Sequence, residues 1–301
     1  MHAFRKHTPH QSASFAYRRR NKMITYVVGS ILLVACLCVG LSYLFSLSYF
    51  KITSVQVFGA DQDITPMLQE TADELIQGSY LGIFKKSSAL IYPKSMIIST
   101  LMARSPRISS VSIARDGWHN VIVTVGQKTP RALVCASLPD WNEGTLSADS
   151  LNQCYFADET GYIFEPAPSF SGHIYNRYFI PDASVGTSSD ALVGTYATSS
   201  AEFTQLQSLY ENIKSLKINP EGLLIKDNGE YELYADEVHR DSKGKVSSDI
   251  FVVYINNARP FTTEFDNFAS FWNSKTATHN TPHFEYIDVR YGSNVFFKIT
   301  D

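Results

Sequence analysis

The 301-residue sequence is poor in the residues that build catalytic and metal centres. It has four cysteines: Cys36 and Cys38 fall inside an apolar run, and Cys135 and Cys154 stand apart from each other with no CxxC pair, so no zinc signature is present. There is no G-x-S-x-G, no glycine-rich phosphate loop, no S-x-x-K with its companion motifs and no H-E-x-x-H. The usual serine-hydrolase, nucleotide-binding and metalloprotease signatures are therefore missing. No 20–50-residue repeat is visible, which excludes solenoids and propellers. Acidic residues are also missing from the whole first part of the chain, up to Asp61.

What is present is ordinary globular composition: 44% apolar, 18% charged and 13% aromatic residues. That argues against wholesale disorder, a collagen-like chain or a polytopic membrane protein. A net charge of -3 lacks the basic excess of a dedicated nucleic-acid binder. At about 150 residues per domain, the length suggests two domains. The charge is unevenly spread. Arg5, Lys6, Arg18, Arg19, Arg20 and Lys22 give residues 1–22 a charge of +6. The remaining 20 basic residues face all 29 acidic ones, so residues 51–301 carry -9.

Between these parts, residues 23–50 contain no charged side chain. A hydrocarbon core of ~30 Å needs ~20 apolar residues as helix, so this run is long enough to span a bilayer once. The arginine cluster before it puts the N-terminus in the cytoplasm and the bulk of the chain outside. Tyr43, Tyr49 and Phe50 suit the interfacial belt at the far end. The run exceeds the ~7–15 apolar residues of a cleaved signal peptide. Leu33-Val34-Ala35-Cys36 resembles a lipobox, with Cys36 as the acylated residue, but the apolar run continues beyond it. An uncleaved anchor is the reading adopted.

Beyond the run the expected class is α+β. Residues 52–58 alternate as a strand and Gly59 turns the chain. Thr65-Pro66 opens a helix, with Thr65 as N-cap and Pro66 at N1. A second helix runs from Pro93 to Arg104, and strands follow at Ile108–Arg115 and Val121–Val125. The order is β-α-α-β-β over residues 51–127. Residues 128–301 read as a β-rich domain: strands at 132–136, 154–157, 162–165, 223–226, 230–235, 249–255, 285–290 and 295–299. Two helices, 201–216 and 262–273, interrupt them. Phe203, Leu206, Tyr210, Ile213 and Leu216 form one stripe and Phe265, Phe268 and Trp272 another, at core-packing spacing. Residues 185–200, rich in Ser, Thr and Gly, read as an exposed loop.

The chemistry-bearing candidates are weak. His279 and His283 are four apart, but Pro282 breaks any helix that would align them. Asp158 and Glu159 precede Gly161 and read as turn residues, and His173 and His239 are isolated. No cofactor or metal is expected. An extracytoplasmic Cys135 and Cys154, on strand-like segments, suit a disulfide; two separate buried thiols is the alternative. The last strands stand out differently. A terminal strand has a free edge unless something covers it, and a partner can add a strand there. Tyr291, Phe296 and Phe297 lie near that edge. A merely well-packed terminal strand would look the same in sequence.

Several local patterns also match a known family in order and spacing. Ser48–Gly59 (SYFKITSVQVFG), Val121–Val134 (VIVTVGQKTPRALV), Tyr155–Pro166 (YFADETGYIFEP) and Tyr286–Lys298 (YIDVRYGSNVFFK), behind a basic tail and one apolar segment, resemble the FtsQ/DivIB family of bacterial cell-division proteins. Gln127 stands where that family usually has an acid. The resemblance implies a POTRA-like domain over residues 51–127 and a β domain over 128–301. It implies a non-enzymatic scaffold at the division septum that binds FtsB and FtsL (or DivIC)-type membrane partners. Arg290, Tyr291 and Ser293 fall where the family's partner-binding motif lies; Phe296 and Phe297 extend it by edge geometry. A POTRA-bearing secretion or envelope-assembly component is the competing expectation, and an anchored hydrolase with an unusual site is a third.

Overall fold

A computed structural model describes residues 13–45, 47–136, 141–142, 145–146, 153–169, 174–180, 192–240, 246–276 and 282–300. Arg5, Lys6, His173, His279, residues 185–191 and most of the segment between Cys135 and Cys154 lie outside the described residues. The chain divides into two compact units, Met1–Arg104 with Ser110–Gly126, and Ser105–Ser109 with Gln127–Asp301.

The first unit begins with α1 (Ala13–Phe45). Its stretch Asn21–Phe45 is long and apolar enough to cross a membrane, and none of it is buried in the protein. An anchor and a signal sequence share this composition. The helix ends before the charge-free run does, and the last residues of that run, Ser48–Phe50, form one 3-10 turn. β1 (Ser54–Phe58), α2 (Thr65–Ile76), a hairpin of β2 (Ser79–Tyr80) and β3 (Phe84–Lys85), α3 (Lys94–Arg104), β4 (Ile108–Asp116) and β5 (Asn120–Gln127) follow. The strands form a three-stranded sheet in the order β1-β5-β4, with β1 parallel to β5. Val121, Val123 and Val125 alternate into the core, where Leu68, Ala72 and Ile76 of α2 and Ile97 and Leu101 of α3 are also buried. Two local causes are visible. Gly59 has φ +85°, and a Cβ there would stand 2.3 Å from the Val125 carbonyl oxygen, so only glycine fits the turn after β1. The side-chain amide of Gln69 on α2 accepts from Val57 N–H (3.2 Å) and donates to Val55 C=O (2.6 Å), taking the place of a neighbouring strand along β1.

One helix start differs from the sequence expectation. Thr65 is the first residue of α2, not its N-cap; the cap is Ile64, with no side-chain capping bond. The Thr65 hydroxyl instead turns back and donates to Asp61 C=O (2.7 Å). Pro66 is still in the first turn, where its missing N–H costs nothing.

The second unit holds a nine-stranded sheet. Its strands are β6 (Ala132–Cys135), β9 (Cys154–Ala157), β10 (Ile163–Pro166), β11 (Asn176–Phe179), β12 (Asn219–Ile225), β13 (Glu230–Arg240), β14 (Val246–Asn256), β15 (Phe284–Tyr291) and β16 (Asn294–Ile299). A separate small hairpin comprises β7 (Trp141–Asn142) and β8 (Thr145–Leu146). The sheet order is β10-β9-β6-β11-β12-β13-β14-β15-β16. β11 pairs in parallel with both β6 and β12, and β14 in parallel with β15. Between β11 and β12 lies α4 (Ser200–Ser215), and between β14 and β15 lies α5 (Phe261–Thr276). These make five α-helices among the described residues.

One core gathers residues of both helices and one face of the sheet. Phe203, Leu206, Tyr210 and Ile213 of α4 and Phe268 and Trp272 of α5 are buried as their spacing predicts, while Leu216 and Phe265 are partly buried at its rim. Each such aromatic contributes on the order of 1.5–3 kcal/mol by leaving water. Leu133, Cys135, Cys154, Phe179 and Leu224 form a second, smaller cluster. Cys135 and Cys154 are register partners on β6 and β9 and are joined in a disulfide. Cys36 and Cys38 are free on α1.

Candidate functional site: the outer edge of the large sheet

A sheet edge presents unpaired N–H and C=O groups, so each edge must be closed or put to use. The nine-stranded sheet ends at β10 on one side and β16 on the other. The β10 edge is shut: Ile163 N–H donates to Thr195 C=O (2.9 Å) and Gly194 N–H donates to Ile163 C=O (2.8 Å). Pro166 ends that strand without an N–H to offer. No described segment hydrogen-bonds to the outer side of β16.

Thr300 N–H, just beyond β16, is used on His283 C=O (2.8 Å). Backbone groups alternate sides along a strand, so Phe296 and Lys298 also turn toward β15. Val295, Phe297 and Ile299 therefore present their N–H and C=O groups outward. Phe296 and Tyr291 meet edge-to-face at 5.4 Å and are 54% and 58% exposed. Phe297, opposite Ile287 in register, packs on Phe271 of α5 (5.1 Å) with Lys275 over its ring (4.8 Å). Ile299 is exposed as well. Lys298, on the other face, pairs with Glu285 (2.5 Å).

The hairpin bearing this edge is anchored from below. Asn267 Nδ2 on α5 donates to Gly292 C=O (2.8 Å) in the β15–β16 turn. Arg259 donates to Val289 C=O (3.2 Å) and pairs with the buried Glu264 (2.6 Å). Burial pushes the Glu264 carboxyl above its ordinary value, and Arg259 offsets part of that rise.

Arg290 makes a fork: Nε and Nη2 donate to the two oxygens of Asp288 (2.9 and 2.7 Å) and Nη1 to Glu230 (2.8 Å). Its guanidinium lies over the rings of Tyr254 (5.1 Å) and Tyr291 (5.8 Å). The Asp288 carboxylate pushes the Arg290 pKa further up. Of the residues expected at a partner surface, Tyr291, Ser293, Phe296 and Phe297 are exposed, whereas Arg290 is engaged inside the sheet. Sequence reasoning missed the supports Arg259, Glu264 and Asn267, whose roles depend on α5 packing under the hairpin and leave no local motif.

The other candidates separate. Asp158 does serve the turn it was expected to: its Oδ1 accepts from Thr160 N–H (2.9 Å), the Thr160 hydroxyl (2.6 Å) and Tyr162 N–H (3.2 Å). Burial raises its carboxyl pKa, but Lys128, paired with it, and the Thr160 bonds outweigh that and hold it below the ordinary value. His283 is an exposed residue ahead of β15; His239 lies on β13. No group of three or more His, Cys, Asp or Glu side chains is placed to hold a metal among the described residues. In comparisons with known proteins, no family model matches the chain and no curated protein matches it.

Proposed function

We propose that this protein is a membrane-anchored scaffold of the FtsQ/DivIB kind, with a POTRA-like module in its first unit. It docks FtsB/FtsL (DivIC)-type division partners by strand addition along β16. The basic N-terminal tail faces the cytoplasm, α1 spans the membrane once, and the rest of the first unit and the second unit lie outside, at the division septum. The observation that carries this reading is the asymmetry of the large sheet's edges: β10 is closed by the 192–197 segment, and β16 is open and flanked by exposed aromatic side chains. Backbone bonding would supply affinity and the flanking side chains specificity. The outer strand of the smaller sheet, β4, is a weaker candidate, because its exposed positions are mainly Ser, Ala, Arg and Asp.

Tyr291→Glu and Phe296→Lys test the docking reading on the full chain. Both side chains are largely exposed, so the variants should melt with the parent within about 0.5 kcal/mol. They should lose capture of an FtsB/FtsL-type partner in a pull-down. Undiminished capture would refute docking at this edge. Depletion in the host should give filamentous or chained cells; normal septation would refute the division role.

A further inference from the structure

We propose that the β2–β3 hairpin of the first unit dips its tip into the outer membrane–water interface, as a second, non-helical contact with the lipid. Four observations lead there. The turn Tyr80–Ile83 is closed by Ile83 N–H donating to Tyr80 C=O (3.0 Å), with positive φ at both central residues, Leu81 (51°) and Gly82 (72°). Such turns call for Gly, Asn or Asp at these positions, and a bulky leucine there is a backbone outlier. Leu81 is 91% exposed, so it pays for no packing within the protein, and Ile83 is 47% exposed beside it. A strained apolar residue at a hairpin tip has no purpose in water; an apolar medium gives it one.

The third observation is the position of the tip. The Ser42 hydroxyl on α1 donates to Ile83 C=O (2.8 Å), and Phe45 meets Phe84 at 5.9 Å. The apolar stretch Asn21–Phe45 has 25 residues. At 1.5 Å per residue that is about 37 Å, against a hydrocarbon core of ~30 Å. A centred span therefore overhangs by about 4 Å at each end, and Ser42 lies about 4.5 Å before the last residue. The hairpin is thus tied to the helix at the level where hydrocarbon gives way to headgroups. Fourth, aromatic groups gather where the chain leaves the helix: Tyr49 is 60% and Trp118 38% exposed, 6.0 Å apart. Amphipathic rings of this kind favour the interfacial layer. The continuity of this apolar surface with the spanning helix identifies the occupant as the bilayer rather than a protein partner.

This inference rests on α1 being a span, and the test separates the two. Full-length protein carrying Cys36→Ser and Cys38→Ser is spin-labelled at Leu81→Cys, Leu33→Cys or Glu70→Cys and reconstituted in phospholipid vesicles. Collision rates are measured with oxygen, which concentrates in hydrocarbon, and with a water-soluble nickel chelate. The oxygen-to-nickel ratio at 81 should exceed that at 70 several-fold and stay below that at 33, which lies at mid-span. A ratio at 81 equal to that at 70, with 33 still in hydrocarbon, overturns the hairpin proposal and leaves the span standing. Water-like ratios at 33 and 81 together overturn both. Low collision with both reagents at 81 would show burial in protein and also overturns the proposal.

Discussion

Removing Arg290 distinguishes a strut from a contact. In Arg290→Ala, Asp288 loses both side-chain bonds and keeps only the Arg290 N–H at 3.1 Å. The Asp288 side chain is 10% exposed, so its charge is left poorly solvated. Breaking a buried pair from one side costs about 3–5 kcal/mol. The low end applies, because the Arg290 side chain retains 22% exposure and one backbone bond remains. The Glu230 arm adds little, about 0–1 kcal/mol, because it lies nearer the surface. The expected loss is therefore about 3 kcal/mol, or about 6–12 °C in Tm for a unit of this size. Urea titration of the full chain should show a lower midpoint at unchanged slope. Replacing both partners, Asp288→Asn with Arg290→Met, should recover about 1–2 kcal/mol relative to additivity. If Arg290→Ala keeps the parent's midpoint yet no longer captures the division partner, Arg290 is a contact residue and the strut assignment fails.

Other perturbations follow from the same geometry. Cys135→Ala with Cys154→Ala opens a link across a sequence separation of 19 and should cost about 3 kcal/mol on the loop-entropy relation; an unchanged melt in the double variant would refute that constraint. Gln69→Leu strips both bonds from β1, at about 1 kcal/mol each, and should promote concentration-dependent association through the exposed strand; sedimentation at rising concentration checks it. Asp158 and Glu202 are raised by burial, but hydrogen bonding, from Lys128 and Thr160 and from Thr198 and Tyr231 respectively, brings both below their ordinary values. Their ionised forms thus add stability that is complete above the unfolded values of about 4 and lost as pH falls through the lower folded values. Asp158→Asn should flatten the acid limb of the stability profile, and an unaltered limb would refute the assignment.

The parts of this architecture set by local periodicity were legible in the sequence. The stripes of α4 and α5 and the alternating valines of β5 follow from one segment at a time. What escaped was decided at a distance. β11 is four residues with a charged Arg177, and it exists because β6 and β12 flank it in parallel. Thr65 looked like a cap because the residue type is right, but its hydroxyl found the Asp61 carbonyl instead. Tyr291 and Phe296 were recognisable as candidates because an apolar residue near a terminal strand is conspicuous. Arg290 was not recognisable as a strut: its main partner Asp288 is only two positions away, but the burial that makes that pair structural comes from packing of the whole sheet, and its second partner Glu230 is 60 positions away. The closure of β10 likewise depends on a segment some 30 residues downstream, which no strand pattern announces.

That closure has a consequence for symmetry. Sheets that are open on both sides can stack head to tail through heterologous contacts, and such contacts propagate into filaments. Here β16 of one molecule finds no complementary edge at β10 of another, so propagation through the large sheet is blocked at the first step. Within the large sheet, the self-contact that remains among the described residues is isologous, β16 against β16 about a two-fold axis, and it terminates at two copies. Because it consumes the same backbone groups that a partner strand would use, pairing with itself and docking a partner are mutually exclusive states of one edge.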